Sequence, residues 1–170
     1  MDEAAEGRFR DWAGARAAPL HRTAFLLCGD WHVAEDLVQE AMARAALNWR
    51  RIEAADSPDA YVRKILVNEG RARWRRRSSR ERPAERLPEG QVEDGSAERA
   101  RRDELLTALR ALPPRQRAAV VLRYFDQLSE AETARALDCS LGTVKSQTSR
   151  ALATLRKTLQ PEELACAPTT

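Results

Sequence analysis

The sequence predicts an all-α fold divided into two small helical units. Apolar residues recur at steps of three and four through most of the chain. Of its 170 residues 43% are hydrophobic and 32% charged, with seven glycines and no β-branched or aromatic-rich run that would need a strand. One stretch, from about Ser78 to Glu98, loses the periodicity and gathers Pro83, Pro88, Gly90 and Gly95, which reads as a linker. The length suffices for one domain or two.

The first helical pattern spans about Gly7 to Cys28, with Phe9, Trp12, Ala13, Leu20, Ala24 and Leu27 on its apolar stripe. Pro19 lies inside it; lacking an amide donor and crowding the preceding turn, it predicts a kink or a second helix start. Gly29-Asp30 marks a stop. A second helix follows from Trp31 or His32 to Trp49, where Val33, Leu37, Ala41, Ala45 and Trp49 form an i, i+4 line. Glu35, Asp36, Gln39 and Glu40 occupy its other faces, and carboxylates near the start suit the helix dipole.

Ser57-Pro58-Asp59 predicts a third helix start, with serine as N-cap, proline in the first turn and an acid behind it. Its apolar face is Tyr61, Ile65, Leu66 and Ala72, while Arg63, Lys64, Arg71, Arg73, Arg75, Arg76 and Arg77 make the remainder basic. Residues 61–82 carry nine Lys and Arg against two acids, whereas residues 1–60 carry seven against eleven. A net charge of +3 therefore conceals a basic block beside acidic neighbours, which suits a polyanion partner.

After the linker, Leu105, Leu106, Leu109 and Leu112 form one helix, stopped at Pro113-Pro114, and Ala118, Val121, Leu122 and Phe125 form the next. In "SEAETARALDCSLGTVKSQTSRAL", Ser129 and Glu132 have the spacing of a capping box, and Ser140 is a second N-cap. Thr133, Ala134 and Leu137 are expected inside the first helix of this pair, and Val144, Ala151 and Leu155 inside the second. Asp138 stands at the turn position that favours positive φ. Thr143, Lys145, Ser146, Gln147, Ser149 and Arg150 remain on the outer face, a donor-rich set suited to the major groove.

Cys28, Cys139 and Cys166 are far apart, and neither they nor His21 and His32 have zinc-ligand spacing, so no metal or cofactor is expected. The acidic N-terminus and the lack of a long apolar run predict a cytoplasmic chain with no membrane partner. No nucleophile–base pair or phosphate-cradling glycine loop gives an enzyme a home.

The stretches AEDLVQEAMARAALNW, PDAYVRKILVNEGRARWRRR and LPPRQRAAVVLRYFDQLSEAETARALDCSLGTVKSQTSRALATLR together resemble sigma factors of the extracytoplasmic-function class. The opening FRDWAGARAAPLHRTAFLLCGDWHVAEDLVQE is similar to the actinobacterial SigE-like group of that class. The resemblance implies sigma region 2 over residues 1–78, a linker over 79–99, region 4 over 100–160 and a mobile tail over 161–170. It implies no catalysis, but binding to core RNA polymerase, at the clamp of the largest subunit and the flap of the second-largest, and to promoter DNA. An anti-sigma factor is a further implied partner.

Residue by residue, the resemblance assigns Asp36, Gln39 and Glu40 to the polymerase clamp, and Asn68, Arg71, Arg73 and Trp74 to the minus-10 element. Lys145, Ser146, Ser149 and Arg150 fall to the minus-35 element, and Arg75, Arg76, Arg77, Arg123 and Thr143 to phosphates. The rival expectation is a free-standing LuxR-type regulator, which the N-terminal half disfavours because it lacks the strand and helix alternation of a receiver domain.

Overall fold

Asp2 accepts the Ala5 amide at 2.8 Å and starts helix α1 (Glu3–Cys28). The computed structural model describes residues 2–54, 57–77 and 96–159, and among these there is no strand. Pro19 starts no second helix and lies inside the continuous α1. Its ring is exposed, and on the outer side of a helix water can take up the carbonyl that proline leaves without a donor. Gly29, at φ 75°, closes α1 by donating its N–H to the Phe25 carbonyl at 2.7 Å, a conformation that suits a residue without Cβ.

Buried Asp30 then accepts the Val33 amide at 2.8 Å and opens α2 (Trp31–Leu47). The expected run to Trp49 is broken at Asn48, whose side chain donates to the Arg44 carbonyl at 2.8 Å. That turn lets Trp49 begin the short α3 (Trp49–Ala54) and meet Phe9 edge-on and Trp12 at a tilt, at centroid distances of 5.2 and 5.4 Å.

Helix α4 (Pro58–Arg77) buries Val62, Ile65, Leu66 and Val67, leaving Tyr61 and Ala72 only half-buried. The apolar face is thus wider than the sequence reading made it, because α4 lies between two layers: α1 and α2 on one side, and the C-terminal helices on the other. A Cβ built on Gly70 would stand 3.4 Å from Leu27 Cβ, so a small residue sits where α4 crosses α1.

Helix α5 (Ser96–Ala111) begins inside the expected linker; residues 78–95 of that linker lie outside the described residues, as do residues 160–170, which take in the expected tail. Next come α6 (Pro114–Val120), a π turn (Val121–Phe125), α7 (Glu130–Leu137) and α8 (Leu141–Leu159). Phe125, expected in one helix with Ala118, Val121 and Leu122, is exposed along with Tyr124. The wider turn, closed by the Asp126 amide on the Val121 carbonyl at 3.1 Å, keeps Val121 and Leu122 buried while carrying the next side chains outward.

Gln127 follows at φ 55°, a left-handed conformation costly for any residue with a Cβ. Its side chain is exposed, so replacing it sacrifices no packing. Gln127→Gly is expected to raise the unfolding free energy by about 0.5–1 kcal/mol, read as a higher urea midpoint at unchanged slope. An unchanged or lower midpoint would show that the turn carries no such strain.

One apolar core results: α1, α2 and α4 pack together at one end, α5 to α8 at the other, and α4 joins them by packing against α6 and α7. Arg117 of α6 is 1% exposed. It donates to the carbonyls of Leu109 at 2.7 Å and Leu112 at 3.3 Å, to that of Arg110, and on α1 to that of Leu27 at 3.4 Å. The guanidinium thus sits at the C-terminal ends of α1 and α5, where helix dipoles supply the negative potential that a carboxylate would otherwise give. Burial pushes its pKa down to about 10, which leaves it charged at neutral pH.

Candidate functional site

The α7–α8 pair is built as its sequence prescribes. Ser129 Oγ accepts the Glu132 amide at 3.2 Å, and Glu132 Oε2 accepts the Ser129 amide at 2.8 Å, forming a reciprocal capping box. The Ser129 hydroxyl, then its backbone N–H, hold the Glu132 carboxyl below the usual range. Asp138 takes φ 52° and closes α7, and Ser140 Oγ accepts the Thr143 amide at 3.1 Å to open α8. Thr133, Ala134 and Leu137 of α7, with Val144, Ala151 and Leu155 of α8, are buried. The two helices are therefore fixed to each other before any partner arrives.

On the outer side of α8, Lys145, Ser149 and Arg150 are exposed and Ser146 is half-buried. Lys145 and Ser149 line one shallow groove with Arg123, Tyr124, Thr148 and Arg156. Tyr124 and Arg156 carry no expectation from the sequence; spacing on α8 places Arg156 two turns beyond Ser149, while Tyr124 is presented by the π turn, which no periodicity signals. Ser146 and Arg150 sit on the adjoining stripe. Lys145 is 3.6 Å from Glu130 of α7. Arg123 donates to the Leu128 carbonyl and so braces the loop before α7. Thr143 and Gln147 face elsewhere, into a cavity of about 80 Å³ shared with Arg71 of α4 and Arg115 of α6.

On α2, Asp36, Gln39 and Glu40 share one face, with Asp36 and Gln39 exposed and Glu40 half-exposed. The two acids meet Arg73 of α4, at 3.8 Å from Asp36 and 3.3 Å from Glu40, and Glu40 also accepts from Arg44. Asn68 is exposed. Arg71 and Arg73 project to roughly opposite sides of α4, as a separation of two residues requires in a helix. The structure thus does not gather the four minus-10 candidates at one point: Arg73 joins the acids, Arg71 joins Thr143, and the side chains of Trp74, Arg75, Arg76 and Arg77 lie outside the described residues.

Between the two layers, Asp126 is the group that sequence reasoning missed. It accepts from Thr23 Oγ1 of α1 at 2.6 Å and from Arg63 Nε of α4 at 3.2 Å. Burial pushes its carboxyl up, while Thr23 and Arg63 pull it back down. An aspartate just past an apolar run reads as a turn residue, and nothing local signals a partner 103 positions away. Among the described residues no group of three or more His, Cys, Asp and Glu could hold a metal, and no helix is long and apolar enough to cross a membrane.

Residues 14–80 match the family model for sigma-70 region 2, and residues 102–155 the model for sigma-70 region 4. The chain is 42% identical over 156 residues to the RNA polymerase sigma-E factor of Streptomyces coelicolor, covering 92% of this chain and 88% of that one. It is 36% identical over 143 residues to the ECF RNA polymerase sigma factor SigM of Mycobacterium tuberculosis, covering 82% and 71%. Among solved structures it is similar to the sigma factor RpoE from Bartonella quintana, crystallised in complex with the anti-sigma factor NepR. That likeness has a TM-score of 0.75 and 25% identity, over 91% of this chain and 98% of that one.

Proposed function

The chain belongs to the extracytoplasmic-function sigma factors of the sigma-70 family, and from that premise we propose how its surfaces divide the work of starting transcription. It binds core RNA polymerase and directs it to specific promoters; the two family models lying in order on one chain carry that conclusion and leave no room for the LuxR-type alternative.

Residues 1–78 act as region 2, residues 79–99 connect, residues 100–160 act as region 4 and residues 161–170 form a tail. Asp36, Gln39 and Glu40 present the acidic face that meets the basic clamp of the largest subunit. Asn68, Arg71, Arg73 and Trp74 engage the minus-10 element, where an amide or an indole can hold an unstacked base. Lys145, Ser146, Ser149 and Arg150 read the minus-35 element from the solvent face of α8, with Arg75, Arg76, Arg77, Arg123 and Thr143 on phosphates. The exposed stripe of α8, held rigid by two N-caps, supports this division. Region 4 also meets the flap of the second-largest subunit, and an anti-sigma factor competes for these faces. The protein works in the cytoplasm and contributes contacts, not catalysis.

Run-off transcription from genomic fragments, with purified core polymerase alone and with this chain added, tests the reading. Discrete transcripts that depend on the chain are expected. Identical products with and without it, together with duplex binding by the chain alone, would overturn it.

A further inference from the structure

We propose that Glu130 is a specificity-determining residue of the α8 groove: with Lys145 it forms an acceptor–donor pair that selects a G·C base pair in the upstream promoter element. This role rests on the reading of α8 as the minus-35 helix. The groove on the outer side of α8 is cationic, lined by Arg123, Lys145 and Arg156. Among its described lining residues Glu130, the first residue of α7, is the acid, and its carboxylate stands 3.6 Å from the Lys145 ammonium. The side chains of Glu130 and Lys145 are 42% and 65% exposed, so both heads can meet a ligand with no rearrangement of the core.

The fold itself has no need of a carboxylate there. The cap of α7 is already complete, with Glu132 accepting the Ser129 amide and Ser129 Oγ accepting that of Glu132. Glu132 also supplies an acid to the first turn, where the helix dipole favours one. An exposed ion pair adds little to stability. Against a polyanion, an acid in this groove weakens binding to every sequence alike, since it offsets one cation and lessens counterion release. That loss is recovered only where the DNA offers the carboxylate a donor. In the major groove those donors are the amino groups on cytosine N4 and adenine N6.

Geometry selects between them. A lysine head is a point charge on a flexible stem, able to wander between base edges and phosphates. Glu130 holds it to one side of its own carboxylate, so the pair presents a donor and an acceptor in fixed order. The backbone that carries Glu130 is itself fixed, by the capping box and by Arg123 on the Leu128 carbonyl just before it. A G·C pair offers the complement: guanine N7 and O6 are adjacent acceptors, and cytosine N4, roughly 2.9 Å from O6, is a donor. An A·T pair gives the ammonium one acceptor beside the amino group where guanine gives two. The pair therefore favours G·C with guanine on the lysine side.

The test uses core polymerase carrying this chain to select from duplexes randomised over the upstream element and joined to the downstream half of a promoter found in the run-off assay. Wild type is expected to enrich one position at which G·C exceeds every other pair by about tenfold, the scale of one base-reading contact. Glu130→Ala should bring that position to within about threefold, leave the other positions unchanged and retain more DNA of unrelated sequence. Glu130→Gln keeps an acceptor oxygen and should restore part of the preference, a rescue that a merely structural role would not confine to one position. An enriched sequence that Glu130→Ala leaves unaltered would overturn the proposal. So would a preference lost at every position together, the mark of a loosened α7–α8 pair. Either result leaves the sigma-factor reading standing, whereas a wild-type chain that adds no sequence preference to core polymerase would overturn both.

Discussion

Arg117→Met is expected to lower the unfolding free energy by about 3 kcal/mol, which is roughly 6–12 °C in Tm for a chain of this size. Two opposed effects set that figure. Methionine removes a desolvated charge, which by itself is favourable, but it takes the guanidinium from the carbonyls of Arg110 and Leu112 and leaves that of Leu109 with the Leu112 N–H at 3.2 Å. The bonds to Leu109 and Leu112 are buried, where water cannot fully replace the guanidinium, so the loss outweighs the relief. Arg117→Lys should lose most of the same stability, because one ammonium cannot reach carbonyls spread around a planar fork. Thermal and urea unfolding check both variants. A Met variant within about 0.5 kcal/mol of wild type would mean that the helix ends do not need this donor.

Asp36→Arg combined with Glu40→Arg is expected to weaken association with core polymerase by about tenfold or more, since the proposed partner surface is itself basic and like charges would then face each other. The structure adds a control. Both acids also hold Arg73, so the reversal could act by loosening α4 from α2. Arg73→Ala breaks the same ion pairs without altering the charge of the acidic face. Exposed pairs of this kind contribute little to stability, about 0–1 kcal/mol. Anisotropy titrations with core polymerase should therefore find Arg73→Ala close to wild type and the double reversal far weaker. Equal losses in the two would place the effect in the α2–α4 packing instead of the clamp contact.

The α7–α8 pair was legible in the sequence because its determinants are local. A serine with a glutamate three residues on, an aspartate at the turn and a second serine lie within twelve residues, and each fixes a backbone group a turn away. The faces of α8 followed from period alone. Arg117 was not legible, because an arginine among apolar residues reads as solvent-facing until two helix ends, one 90 positions away, converge on it. Val62 and Val67 were missed for a related reason: a helix covered on two sides loses the one-sided pattern from which burial is read. Of the two outcomes Pro19 allowed, the helix restart is absent, since the cost of a proline depends on which side of the helix faces water. The placement of Arg73 against Asp36 and Glu40 likewise depends on how α4 crosses α2, which spacing along either helix does not encode.

The π turn from Val121 to Phe125 holds one residue more than an α-helical turn would between the same flanks. Were that surplus residue deleted, everything downstream would swing by about 100° around the axis. The apolar composition of the segment would be almost unaltered, yet the carboxylate at its end would point into solvent instead of at Thr23. Chain length at this one spot thus sets the aim of the Asp126 carboxylate and, with it, the direction in which α7 and α8 leave the turn.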